Sequence, residues 1–290
     1  MKTRRMVVWS LLAMGQSTIV ARADEGQTPQ LEEGQHFIVD PVVDGVAVAG
    51  GAAFSILLQL VLSTGEIKPG FPSDPSVLLS IDRGAVTTTP DPNAGLLSSI
   101  GLYTAIGFAV LDPILSGFRD GKDALLVDAV MYAETIALTE AFTDATKIAV
   151  RRPRPVDYAN CYKQSTTGCD SNTDLQLSFF SGHASVTGAI TATASYLAFA
   201  RSGMHSARPW ITLATGVLLT AFVSYERVQS GEHFPTDVIM GSLAGAGIGT
   251  LVAHFHHKPH LHGKNLEAPS VWFGYAPMPS GGGVSMGGRF

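Results

Sequence analysis

The feature that most limits what this chain can become is the spacing of its apolar residues. From about Val42 to His257 they recur at helical intervals, without the strict alternation that marks half-buried strands, and segments rich in Pro, Gly, Asp and Asn interrupt them. The pattern predicts an all-α fold, an antiparallel helical bundle of about six core helices over about 44–63, 96–118, 122–149, 184–200, 208–226 and 235–256. The stretch 64–93, with Pro69, Pro72, Pro75, Pro90 and Pro92, predicts a long connection or a pair of short helical turns. Beyond Lys258 the period changes. Val271-Trp272-Phe273-Gly274-Tyr275 and Val284-Ser285-Met286 flank a Pro/Ser/Gly turn, which predicts a small hairpin.

The N-terminus adds a targeting signal. Lys2, Arg4 and Arg5 precede a mostly apolar run from Met6 to Val20, and Ala21 and Ala23 supply the small residues of a cleavage site. Residues 1–23 read as a signal peptide, 24–262 as a single helical domain and 263–290 as the hairpin-bearing tail. An exported, periplasmic or extracytoplasmic chain follows. In such a compartment Cys161 and Cys169, the two cysteines of the sequence, can form a disulfide that closes a short polar loop, with a stabilisation of about 2–3 kcal/mol.

Charge excludes one class of partner. With 19 basic and 24 acidic residues the formal net charge is −5, the wrong sign for a protein that grips nucleic acid through a basic face. Membrane contact is a closer question. Residues 46–63 and 184–200 carry no formal charge and approach spanning length. Against a span, the third helix carries Asp128, Glu134, Glu140 and Asp144, which are costly in hydrocarbon. A cleaved signal peptide would also leave the arginine-rich end of a third spanning helix in the cytoplasm. These two points favour a soluble or peripheral body, with the integral form as its rival.

Three clusters carry the chemistry. Lys147-x6-Arg154-Pro155 ends the third helix, where Pro153 and Pro155 stop it, and Ser181-Gly182-His183 opens the fourth. Arg227-x5-His233-x3-Asp237 runs from the end of the fifth helix into the first turn of the sixth. With up-and-down connections, all three fall at one end of the bundle, which places the active site there. Lys147, Arg154 and Arg227, with the backbone N–H groups of Gly182 and His183 at a helix N-terminus, make a cradle for a phosphoryl group. His233 can attack phosphorus, Asp237 can fix its tautomer, and His183 can protonate the leaving oxygen and then activate water. Such chemistry requires no metal. Arg151 and Arg152 read as solvent-facing, and Glu134 and Glu140 as polar-face or buried-pair residues. The imidazoles of His254, His256, His257, His260 and His262 suit a helix C-terminus, so no metal is assigned to them.

These residues resemble the phosphatidic acid phosphatase type 2/haloperoxidase superfamily, whose signature reads K-x6-R-P, P-S-G-H and S-R-x5-H-x3-D. The resemblance covers about 120–256. It implies a metal-independent phosphatase acting on a phosphomonoester or diphosphate through a phosphohistidine, with no cofactor and with vanadate as an inhibitor. Lys147, Arg154, Ser181, Gly182 and Arg227 would bind phosphate, His183 would be the acid and base, His233 the nucleophile and Asp237 its partner. Two positions depart: Phe180 stands in place of the proline and Glu226 in place of the serine. A phosphorylated small molecule or lipid is the expected substrate, met at a membrane surface in the second case. Phe179, Phe180 and the aromatic tail supply candidates for an apolar entrance. The rival readings are a vanadium-dependent haloperoxidase and a non-catalytic anion-binding envelope protein.

Overall fold

In a computed structural model, residues 37–67, 69–70, 72, 74–158, 177–258, 270–278 and 281–289 are described. They all fall within one unit, His36–Phe290. The signal-peptide residues, Cys161 and Cys169 lie outside the described residues.

Among the described residues, seven helices with both ends described form the body: α1 (Val43–Ser63), α2 (Ser80–Thr87), α3 (Ala94–Asp120), α4 (Lys122–Val150), α5 (Gly182–Ser202), α6 (Ala207–Gln229) and α7 (Pro235–His256). All six core helices stand where the apolar period predicts them. Among its described residues, the proline-rich stretch 64–93 contains a 3₁₀ turn, Pro75–Val77, and the short α2. The tail pairs β1 (Ser270–Met278) with β2 (Gly281–Arg289) as an antiparallel hairpin, with Phe273 opposite Met286.

Local chemistry sets the helix ends. Ser181 caps α5 by accepting from the Ala184 N–H, and Ser206 caps α6 by accepting from the Arg208 N–H. Pro235 occupies the first turn of α7, and the Asp237 carboxylate reaches back to accept the Phe234 N–H at 2.8 Å. At the end of α4, Arg151 turns into the left-handed region at φ 51°, its N–H on the Lys147 carbonyl, and Pro153 prevents the helix from resuming.

The main core contains Phe37, Met131, Tyr132, Val186, Ile190, Leu197 and Val252, drawn largely from α4, α5 and α7. Helix α7 meets α5 with backbone in contact. A Cβ on Gly245 would stand 1.8 Å from the Ser185 carbonyl oxygen, one on Gly249 2.3 Å from that of Ala189, and one on Gly241 2.8 Å from that of Ser181. Three glycines at four-residue spacing thus fix the register of α7 against α5, and with it the relation between the segments preceding them.

Outward surfaces are apolar. Phe118 is 84% exposed, Leu218 71% and Phe255 74%, among many exposed aliphatic side chains on α1, α3, α6 and α7. These four helices are long and apolar enough to cross a membrane, with 11%, 28%, 17% and 33% of their most apolar windows buried, which points to membrane association. The second uncharged segment, 184–200, is different: much of α5 is interior. Nor are Asp128 and Asp144 of α4 set against lipid. Asp128 meets Arg201 at 2.5 Å, and Asp144 accepts from Ser55 Oγ at 2.6 Å and Gln59 Nε2 at 3.2 Å. The cost that these two acids would incur in hydrocarbon is therefore met inside the protein.

Candidate active site

The end of α4, the start of α5, the end of α6 and the start of α7 come together, as chain direction predicts. Ser181 N–H donates to the Asp237 carbonyl at 3.2 Å, and Gly182 lies so close to α4 that a Cβ there would stand 3.8 Å from Lys147 Nζ. Lys147 is held from behind by Asp144, 4.0 Å away, itself anchored by Ser55 and Gln59 on α1. Arg154 and Arg227 are buried, and among the described residues the Arg227 Nε has no hydrogen-bond partner.

His233 is 2% exposed and its Nδ1 lies 2.7 Å from the Ser178 carbonyl oxygen. A carbonyl only accepts, so Nδ1 carries the proton and Nε2 keeps its lone pair. Burial, and then the charges of Arg227, Arg154 and Lys147, hold this imidazole well below the usual histidine range, hence neutral. His183 has Nε2 3.4 Å from Ser99 Oγ, and burial followed by Arg227, Lys147 and Arg154 pushes its pKa down to about 4. Both rings therefore sit beside the same cations.

Asp237 takes a different place from the one its spacing suggests. Its carboxylate is 3.9 Å from His233 Nδ1 and is satisfied elsewhere, by Arg152 at 2.5 Å, by the Phe234 N–H and by the Ser178 hydroxyl. It reaches the histidine through Ser178, which donates its hydroxyl to Asp237 and accepts from His233 on its carbonyl. Arg152 also departs from expectation. Instead of facing solvent it bridges Asp237 and Asp82 of α2, the latter at 2.8 Å, with its guanidinium 4.0 Å over the Phe234 ring. Asp82 further accepts the Thr236 N–H and hydroxyl, clamping α2 onto the start of α7. Arg151 is exposed, as the sequence predicts.

The carboxylate that meets Arg227 belongs to Glu232 rather than to Glu226. Glu232 accepts from Arg227 Nη2 and, at 3.2 Å, from Arg154 Nη1. Phe180 is buried against Phe142, ring centroids 5.8 Å apart, so it fills core instead of lining an entrance. Phe179 stands half-buried beside it. Ser178, Glu232, Ser99 and Asp82 escape sequence reasoning. Only Glu232, one residue before His233, carries a local signal, a carboxylate inside a cationic cluster.

Fixed cations, N–H groups at a helix start, one imidazole with a free lone pair and a second able to carry a proton form a set suited to phosphoryl transfer. A PAP2 superfamily model matches residues 128–260, which contain all three clusters. A solved structure that is similar to this chain is the crystal structure of the first transmembrane PAP2 type phosphatidylglycerolphosphate phosphatase from Bacillus subtilis. It is 18% identical, with 72% of this chain and 96% of that chain covered, at a TM-score of 0.45.

Proposed function

We propose that this chain, whose residues 128–260 match a PAP2 superfamily model, is a phosphoric ester hydrolase that releases phosphate from a phosphorylated lipid through a covalent intermediate on His233, with no metal at the reacting phosphorus. The observation that carries this reading is the hydrogen bond from His233 Nδ1 to the Ser178 carbonyl, which leaves Nε2 unprotonated beside Lys147, Arg154 and Arg227.

In the proposed sequence, Lys147, Arg154, Arg227, Ser181 and the N–H groups of Gly182 and His183 hold the phosphoryl oxygens, and the phosphate displaces Glu232 from the arginines. His233 Nε2 bonds to phosphorus as the ester P–O bond breaks, and His183 gives its proton to the departing oxygen. The substrate anion offsets the cations around His183 and so lifts its pKa, which lets it carry that proton. His183 then takes a proton from water, whose oxygen attacks phosphorus and breaks the P–N bond. Throughout, Asp237 acts through Ser178 as a positioning residue for the positive charge that develops on His233.

A lipid is favoured over a soluble ester by the apolar outer faces of α1, α3, α6 and α7. They suit integral insertion, with the cationic end at the level of lipid headgroups, better than the soluble or peripheral body. Export rests on the pattern in residues 1–23.

The test is a panel of phosphate esters, lipid and soluble, assayed with EDTA present for the wild type and His233→Ala. Release of phosphate from lipid esters that survives EDTA and vanishes in the variant supports the reading. Activity restored only by added metal overturns it.

A further inference from the structure

Far from the phosphate cradle, a second polar cluster is buried where the start of α1, the middle of α4 and the end of α7 meet. His256 Nε2 lies 3.2 Å from Asp44 Oδ1 and 3.4 Å from Glu134 Oε2. Along α7, His256 is nineteen residues beyond Asp237, or about 30 Å at helical rise. Glu134 is 8% exposed, and among the described residues its Oε2 makes no hydrogen bond, His256 Nε2 being its ion-pair neighbour. We propose that Asp44, Glu134 and His256 bind a divalent transition-metal ion that ties α1 and α7 to α4.

Three observations support a metal ion here. The His256 Nδ1 stands 2.7 Å from the Val252 carbonyl oxygen, to which it donates, so Nε2 is the ring atom turned toward the two carboxylate oxygens, the position a metal-ligating nitrogen takes. That hydrogen bond to a backbone carbonyl is the outer support that metal-ligating histidines ordinarily have. Spacing agrees as well. With metal–ligand bonds of about 2.0–2.2 Å, neighbouring donors of a tetrahedral set lie about 3.4 Å apart, which the two His256 distances match. Charge is the third. Two carboxyl groups share this buried place, where a divalent ion supplies the positive charge that their ionised forms need. The second Asp44 oxygen is already engaged, accepting the Asp40 N–H at 2.6 Å, which orients Oδ1 toward the imidazole.

The probe is zinc, titrated into the full chain in detergent after EDTA treatment and exchange. The expected result is about one ion per chain, a rise in melting temperature that zinc gives and magnesium does not, and reversal by EDTA. Glu134→Gln and His256→Gln should each weaken zinc binding at least about tenfold, while a His254→Gln/His257→Gln variant should bind as the wild type does. Should either ligand variant fail to fold, the melting shift of the His254→Gln/His257→Gln protein decides. Zinc binding by folded Glu134→Gln at wild-type strength, or the absence of a zinc-dependent melting shift, overturns the proposal. Phosphate release below the melting temperature is not expected to change with zinc, so this test and that of the phosphatase reading fail separately.

Discussion

Glu232 Oε2 is shared between the Arg227 and Arg154 guanidinium groups, so the two arginines expected to grip phosphate already hold a carboxylate. Its side chain is 31% exposed, which leaves it free to swing toward solvent when a stronger anion arrives. A phosphate ester must compete with it. Removal of the competing charge in Glu232→Gln is expected to lower KM and to tighten inhibition by vanadate, each by about fivefold, the size of a partly exposed ion pair of about 1 kcal/mol. Steady-state kinetics with vanadate titration measures both. A raised KM would instead mean that Glu232 is needed to hold the arginines in place.

His183 gives a pH prediction whose sign follows from its neighbours. Burial and three cations disfavour the charged ring, so its pKa lies near 4 in the free protein. Loss of one cation in Lys147→Met should raise it, and bound vanadate should raise it further by supplying negative charge. NMR titration of labelled histidine checks both shifts. A pKa that falls or stays put on vanadate binding would remove His183 from the vicinity of the anion.

The Ser178 hydroxyl joins Asp237 to the residue whose carbonyl orients His233. Ser178→Ala should therefore lower kcat by about tenfold or more with little change in KM, since it touches the nucleophile's support and no substrate oxygen. Asp237→Asn should cost more, because it also releases Arg152 and the cap of α7. An equal loss through KM alone would place Ser178 in substrate binding.

How much of this was legible in the sequence varies by contact range. Six core helices were readable because apolar periodicity and Pro/Gly stops are local, and the meeting of Lys147, His183 and His233 follows from helix direction. The support of Asp237 was not readable, since Ser178 and Asp82 reach it through tertiary contacts that no spacing records. The acids of α4 misled for the same reason: Asp128 and Asp144 look hostile to lipid until Arg201 and Ser55 are seen beside them. Sequence does mark α7's glycines, yet only the fold shows that they face α5.

Those glycines make a paired test. Gly245→Val must push a side chain into the Ser185 carbonyl and should destabilise the protein by about 3 kcal/mol or more. Gly247 has nothing within 4 Å of a Cβ, and Gly247→Ala should be neutral or stabilising by up to about 1 kcal/mol through helix propensity. Thermal melts of the two variants separate packing from propensity. Similar melting temperatures would mean that α5 and α7 do not touch as described.

The apolar faces of α1, α3, α6 and α7 predict fractionation. The protein should stay in the membrane pellet through high salt and alkaline carbonate, and leave it only in detergent. Release by carbonate would restore the peripheral body that the N-terminal pattern and the acids of α4 first suggested.

The central claim is a bond between phosphorus and His233, and p-nitrophenyl phosphate bearing ³²P reads it directly in His183→Ala. Its leaving group needs no proton, whereas hydrolysis of the intermediate needs the missing base. The expected result is a burst of one equivalent of p-nitrophenol per chain and an acid-labile, base-stable label on the peptide containing His233. Steady phosphate release with neither burst nor label at His233 would contradict the account.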